Sequence, residues 1–320
     1  MLGLLAGGLP SQARGEVLAA DAMIFRAFPE ADSYRRIVRD VDQQARTAIE
    51  RDLPFKVHFD ELGPHTLFVA FRGRQPVGLL YLRSEEAEWG LTEIAWAVTL
   101  DMRVLGFQFL RGRGRHLRGL EGSAFARQLV GCDQPHLVDL LTRQTKADPA
   151  IVPMGAEELA KTVLRSGIKA LLVTDTVWRD EVAKLQDLAM GFDAFPAAER
   201  LHRTVLTFDL DGGDSLKSVI ANVVRATGKG DSQLGAVVRT ETKIGGDNVA
   251  LRWVVDDHLR IVRIVPVRSW ASDALRLACR ELEGHLLVAP PEGGNTLRPV
   301  ALSLGEVMAH VGATPPKGGK

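Results

Sequence analysis

Between His65 and Leu82 the chain reads HTLFVAFRGRQPVGLLYL, two apolar runs either side of an Arg-Gly turn. That pattern predicts a strand, a tight turn and a second strand. Between Glu93 and Gly112, EIAWAVTLDMRVLGFQFLRG predicts two more strands meeting at a polar turn around Asp101. A two-residue period then sets Val104, Gly106 and Gln108 on one face, and Leu105, Phe107 and Phe109 on the other. ALRWVVDDHLRIVRIVPVRS, Ala250 to Ser269, has the same form around Asp256-Asp257. Here Ile261, Arg263 and Val265 are expected opposite Val262, Ile264 and Pro266. AMIFRAFP, Ala22 to Pro29, ends an amphipathic helix, because Pro29 has no N–H to donate and restricts the residue before it. MGAEELAKTVLRSG, Met154 to Gly167, predicts a further helix closed by Gly167.

These elements occur twice. AMGFDAFP, Ala189 to Pro196, matches AMIFRAFP at six of eight positions, 167 residues on. Ala31, Arg36 and Val38 recur at that offset as Ala198, Arg203 and Val205. Trp96, Arg103 and Arg111 recur 157 residues on as Trp253, Arg260 and Arg268. A third match is Leu-Glu-Gly, at 120–122 and 282–284. A fourth, looser one pairs Met154–Gly167 with Leu302–Gly312, each read as a terminal helix ending at glycine. The change of offset places length differences in loops, where they are tolerated. One ancestral unit duplicated in tandem explains the order. The expected fold is α+β: two related domains, each a mostly antiparallel sheet flanked by helices. The first copy spans 16–175 and the second 179–313. Residues 314–320 read as a flexible tail.

Composition narrows the setting. The 320 residues are 46% hydrophobic and 25% charged with zero formal net charge, which gives no global pull towards nucleic acid. No apolar run approaches the roughly 20 residues that span a bilayer. Leu2 to Leu9 is a short apolar run, followed by Ser11-Gln12-Ala13, a small-x-small triplet that fits a signal-peptidase site. Residues 1–15 therefore read as an export signal, with a frayed N-terminal segment as the alternative. Export sets the expected location as extracytoplasmic, periplasmic or secreted, where disulfides persist. Cys132 and Cys279 form no CxxC motif. They pair only if their Cα atoms lie within about 7 Å, and are otherwise two free thiols.

AFPEAD (Ala27 to Asp32), AVTLDMRVLGFQFL (Ala97 to Leu110) and MGAEELAKTV (Met154 to Val163), in this order of elements, resemble the FMN-binding domain of the flavin-carrying subunits of Rnf complexes and sodium-pumping NADH:quinone reductases. The resemblance covers nearly all of copy one and reaches copy two through the repeat. It implies an extracytoplasmic electron-transfer or redox-associated accessory role, with a redox protein or membrane redox complex as partner. In that family FMN is attached through its phosphate to the threonine of a Ser-Gly-Ala-Thr motif opening the last helix. Here the stretch is Met154-Gly155-Ala156-Glu157, so Gly155 and Ala156 remain and Glu157 replaces the attachment threonine. Glu157 has no hydroxyl for a phosphoester and would repel a phosphate at a helix N-terminus. Covalent flavin is excluded on this reading; FMN is held noncovalently or not at all. The family's Glu-Thr-Pro-Gly-like loop is also missing, its place taken by RGRGRHLRGLEG, Arg111 to Gly122. The alternative function is a cofactor-free binding or scaffolding subunit of a membrane-associated redox complex.

Other chemistry is sparse. Arg111, Arg113 and Arg115, with Arg118 and His116, form a glycine-interleaved cluster whose guanidinium forks suit phosphate or carboxylate; a solvated loop explains it equally. No aromatic platform accompanies it in sequence, so single-stranded nucleic acid is not expected. Ala226 to Ser232 lacks phosphate-loop spacing and reads as a hairpin or loop. Asp256-Asp257-His258 suits a turn, and with the acidic group Asp209, Asp211 and Asp214 makes no metal set. No hydrolase motif occurs. Trp96 and Trp253 read as packing anchors.

Overall fold

A computed structural model describes residues 22–55, 62–143, 151–208, 219–244, 247–267, 272–292 and 295–312. The proposed signal, Asp209, Asp211, Asp214, Arg268 and the tail lie outside them. The chain divides into two units, residues 1–186 and 187–320.

In the first unit residues 22–27 are helical. Five strands follow: β1 (Ser33–Val41), β2 (Gly63–Arg72), β3 (Gln75–Ala87), β4 (Gly90–Val98) and β5 (Val104–Arg111). They form one antiparallel sheet in chain order, with α1 (Gln43–Asp52) between the first two strands. Then come α2 (Leu117–Glu121), α3 (Ala124–Leu129), α4 (Gln134–Arg143) and α5 (Glu157–Val177), and last α6 (Arg179–Ala194), whose residues from Asp187 on belong to the second unit. One sheet face, carrying Leu67, Leu79, Tyr81, Ile94 and Trp96, is buried with Val163, Leu164 and Ile168 of α5. The other face, carrying Phe68, Leu80 and Ala95, is buried with Ile24 and Phe28 of the first helix. Alternation along each strand feeds both layers.

The second unit repeats the meander. Strands β6 (Arg200–Phe208), β7 (Val219–Thr227), β8 (Gln233–Ile244), β9 (Asp247–Asp256) and β10 (Ile261–Pro266) pair antiparallel in chain order, followed by α7 (Asp273–Leu282) and α8 (Arg298–Gly312). One face, with Trp253 and Val238, packs with Leu282 of α7 and Leu304 of α8. Val224, Val237 and Val254, on the other face, pack with Leu188 inside α6 and Phe195 just after it. The expected α+β pair of antiparallel domains is therefore the fold. Of residues 226–232, Ala226 and Thr227 end β7 and the rest form the expected connection to β8, with a single 3₁₀ turn at Lys229–Asp231.

The duplication reaches atomic detail. Phe28 N–H bonds Ile24 O and Ala31 N–H bonds Phe28 O; in copy two Phe195 bonds Gly191 and Ala198 bonds Phe195 in the same way. Each phenyl ring lies on a glycine of the third strand. A Cβ at Gly78 would stand 2.0 Å from Phe28, and one at Gly235 would stand 2.5 Å from Phe195. The hairpin before the last strand is also shared, with Met102 and Leu259 both at φ 59°.

Three sequence expectations need correction. The strict alternation in β5 fails because Val98 pairs with Val104 while Ala97 pairs with Gly106. Leu105 is the extra residue of a β-bulge and is exposed, so Val104 and Phe107 both reach the core. Val262 does the same in β10, between Ile261 and Arg263. Secondly, Leu-Glu-Gly is not one repeated site. Gly284 N–H bonds Ile261 O and Ile261 N–H bonds His285 O, whereas in copy one those partners of Val104 are Gly131 and Cys132. Gly131 and Gly284 share φ values of 83° and 84°; Gly122 has φ −87°. Thirdly, Gly167 ends no helix. It sits inside α5, where a Cβ would stand 2.7 Å from Trp96. A close helix–sheet approach, not a cap, requires the glycine there.

Candidate functional site

The corner before α5 brings two of the expected site segments together. Pro153 O accepts from Ala156 N–H, which turns the chain at Gly155, φ +79°. Ala156 is buried and opens the helix with no side-chain cap. Glu157 instead reaches back before the helix, its Oε1 accepting from Gly155 N–H at 3.2 Å. Its own N–H, then that of Gly155, hold the Glu157 carboxyl below the usual glutamate range against a small burial cost, and nearby His116 and Lys161 add to this. Met154 is 84% exposed. His116, from the arginine loop, closes the other side, with Nε2 3.2 Å from where a Cβ on residue 155 would stand.

This corner does not fit a flavin phosphate. The N–H groups that would grip the anion already face a carboxylate, and a second anion there meets like charge. In copy two Leu302 to Gly305 lies inside α8, not at its start, so that copy has no matching helix terminus.

Two of the arginines have their own partners. Arg111 Nη1 lies 3.6 Å from Glu93 Oε1, and Arg115 Nε donates to His116 Nε2 at 3.0 Å. Arg113 is exposed on the loop, and Arg118 is exposed on α2. An exposed aromatic that the sequence did not connect with them, Trp89, stands beside Gly114.

Elsewhere the polar groups serve the fold. Asp256 Oδ1 accepts from His258 and Arg260 N–H, which makes Asp256-Asp257-His258 a turn, as expected. Trp96 and Trp253 are fully buried anchors, their Nε1 groups donating to Ser166 and Thr240 at 2.9 Å each. Cys132 and Cys279 are free thiols, the first half-buried and the second buried. Among the described residues no group of three or more His, Cys, Asp or Glu could hold a metal ion, and no helix is long and apolar enough to cross a membrane.

Sequence reasoning missed the buried ionic clusters. Glu85 accepts from Arg83 Nε and from Lys169 Nζ, each at 2.8 Å, and all three are buried. In copy two Asp187 accepts from Arg252 Nε at 2.7 Å and Arg239 Nε at 3.1 Å. The first had a signal: Leu79, Tyr81, Arg83 and Glu85 alternate along β3, so its core face turns from apolar to charged. Tyr81 Oη also lies 2.6 Å from His65 Nδ1. No family model, curated protein or solved structure matches the chain.

Proposed function

We propose that the protein is an extracytoplasmic, cofactor-free binding module, a scaffolding subunit of a membrane-associated redox complex. The observation that carries the cofactor-free part is the Glu157 carboxylate on the Gly155 N–H, at the helix terminus where the resembled FMN-binding domains hold their flavin. Arg111 and Arg115 are already engaged, with Glu93 and His116. Among the described residues the chain's own helices pack on both faces of each sheet over its central strands, where a flavin ring would have to displace them. The partner class and location come from the resemblance and the N-terminal pattern.

Titrating the purified chain with FMN and following flavin fluorescence tests the reading. Unquenched, non-saturating fluorescence up to tens of micromolar FMN is the expected outcome. Saturable quenching at low micromolar FMN would make the protein a noncovalent flavoprotein. Glu157→Thr sharpens the test: flavin gained by this variant alone shows that the carboxylate is what excludes it. For the partner, the tagged chain should retain a haem- or flavin-absorbing complex from detergent-solubilised membranes of its own source. Eluates free of both chromophores count against a redox partner.

A further inference from the structure

Among the described residues, one edge strand of each sheet is bonded by following loop backbone and the other pairs with a single neighbouring strand, and the two copies agree on which is which. At β5, Val104 N–H donates to Cys132 O, Gly131 N–H to Val104 O, and Phe109 N–H to Glu121 Oε1 at 2.6 Å. At β10, Ile261 N–H donates to His285 O, Gly284 N–H to Ile261 O, and Ile264 N–H to Glu283 Oε1 at 3.0 Å. Loop backbone and a glutamate thus occupy the bonding groups of the last strand in both copies. The first strands differ. Among the described residues β1 pairs with β2 alone and β6 with β7 alone, each for nine residues.

The open edges also share a chemistry. β1 exposes Arg35, Arg36 and Arg39, and β6 exposes Arg200 and Arg203. Asp40 is the acid within β1, and β6 has none. Arg39 is bonded to Glu181, Arg200 faces Asp231 at 3.5 Å, and Arg203 donates to Asn222. Two residues beyond Arg36 and Arg203, on the same strand face, stand Val38 and Val205, 54% and 57% exposed. Arginine by itself guards an edge against stray pairing. An exposed valine beside it, in both copies, offers apolar contact area instead.

We infer that β1 and β6 are equivalent docking edges for an extended acidic peptide segment of a partner protein, which adds as a sixth strand to either sheet. Main-chain bonds to the open edge supply affinity, and side chains alternating along the added strand supply selectivity. A carboxylate of the ligand meets Arg36 or Arg203, and an aliphatic residue two positions away meets Val38 or Val205. Positive charge on the strand selects against basic segments. Two such edges on one chain give two sites of the same chemistry.

This inference rests on the reading of the protein as a binding module. Its test uses the full chain and a fluorescein-labelled peptide, Thr-Glu-Thr-Val-Thr-Glu-Thr-Val, followed by fluorescence anisotropy. Saturable binding is expected, weakened by salt. The peptide with lysine for glutamate, and the acidic peptide with alternate backbone amides methylated, should both fail to bind. Arg36→Glu with Arg203→Glu is expected to weaken binding about fivefold or more, the worth of one exposed ion pair at its upper end, with an unchanged circular dichroism spectrum. No saturable binding of the acidic peptide, equal binding of the lysine peptide, or equal binding of the methylated peptide each overturns the inference. The two readings fail separately. Saturable FMN binding removes the cofactor-free module, whereas a chain that binds neither FMN nor peptide loses only its docking edges.

Discussion

Gly78→Ala adds one methyl group and should cost about 3 kcal/mol, the upper end for overpacking. The added carbon would stand 2.0, 2.5 and 2.8 Å from three atoms of the Phe28 ring. Carbon atoms rest about 3.5–4 Å apart, so the ring must retreat by more than an ångström. It has nowhere to go, because Phe28 is 1% exposed and is enclosed with Ile24, Phe68, Ala70 and Leu80. Phe28→Ala alone should cost about 3–5 kcal/mol through the cavity it leaves. The double variant should be no less stable than Phe28→Ala, since the new methyl enters the vacated space. That is a coupling of about 3 kcal/mol where independent sites would add. Equilibrium urea unfolding followed by tryptophan fluorescence reads it, because Trp96 and Trp178 are buried in the same unit. Gly235 supplies the contrast. A Cβ there meets Val255 O at 2.4 Å as well as Phe195, and φ is +150°. Phe195→Ala should therefore fail to rescue Gly235→Ala. Gly78→Ala within about 0.5 kcal/mol of the parent, or strict additivity with Phe28→Ala, would refute the helix-on-glycine contact.

Further outcomes are specific to the buried charges and the thiols. Glu85→Ala takes from Arg83 and Lys169 the buried carboxylate that bonds both, and should cost about 3–5 kcal/mol in the same unfolding assay. Glu241→Ala removes an exposed partner of Arg239 and should cost below about 1 kcal/mol. Burial, with Glu283 nearby, pushes the Cys279 thiol up to about 11 from an ordinary 9.0. The unfolded thiol then ionises first, so this stabilisation is complete below pH 9 and is lost as pH rises towards 11. Urea midpoints of the parent should fall over that range more steeply than those of Cys279→Ala. Iodoacetamide at pH 8 should alkylate half-buried Cys132 before Cys279, as read by peptide mass spectrometry.

Much of the duplication is legible in the residues, and the errors have particular causes. The Phe-Pro helix endings and the Trp-to-Arg hairpins were readable because their spacing is local. Leu-Glu-Gly misled because the same tripeptide stands in two different places. Glu121 and Glu283 both accept an N–H from the last strand, but Phe109 in one copy and Ile264 in the other. The glycine needed at positive φ after the helix is Gly131 in copy one, reached through an extra turn of chain, α2. The bulge at Leu105 was hidden because an inserted residue shifts the period without leaving a compositional mark. At the candidate site, the sequence named Gly155, Ala156 and Glu157 but not His116 beside them, since that approach depends on how the loop after β5 returns to α5.

Sequence by itself determined the order of helices and strands, their recurrence in the second half and the glutamate that opens α5 at position 157, all properties of neighbouring residues. Only the tertiary structure decided which glycines lie under an aromatic ring, which charges are buried together and which strand of each sheet stays open. Those features join residues far apart in the chain, and no local pattern encodes the pairing. An edge strand differs from a central one only in whether another backbone lies alongside it.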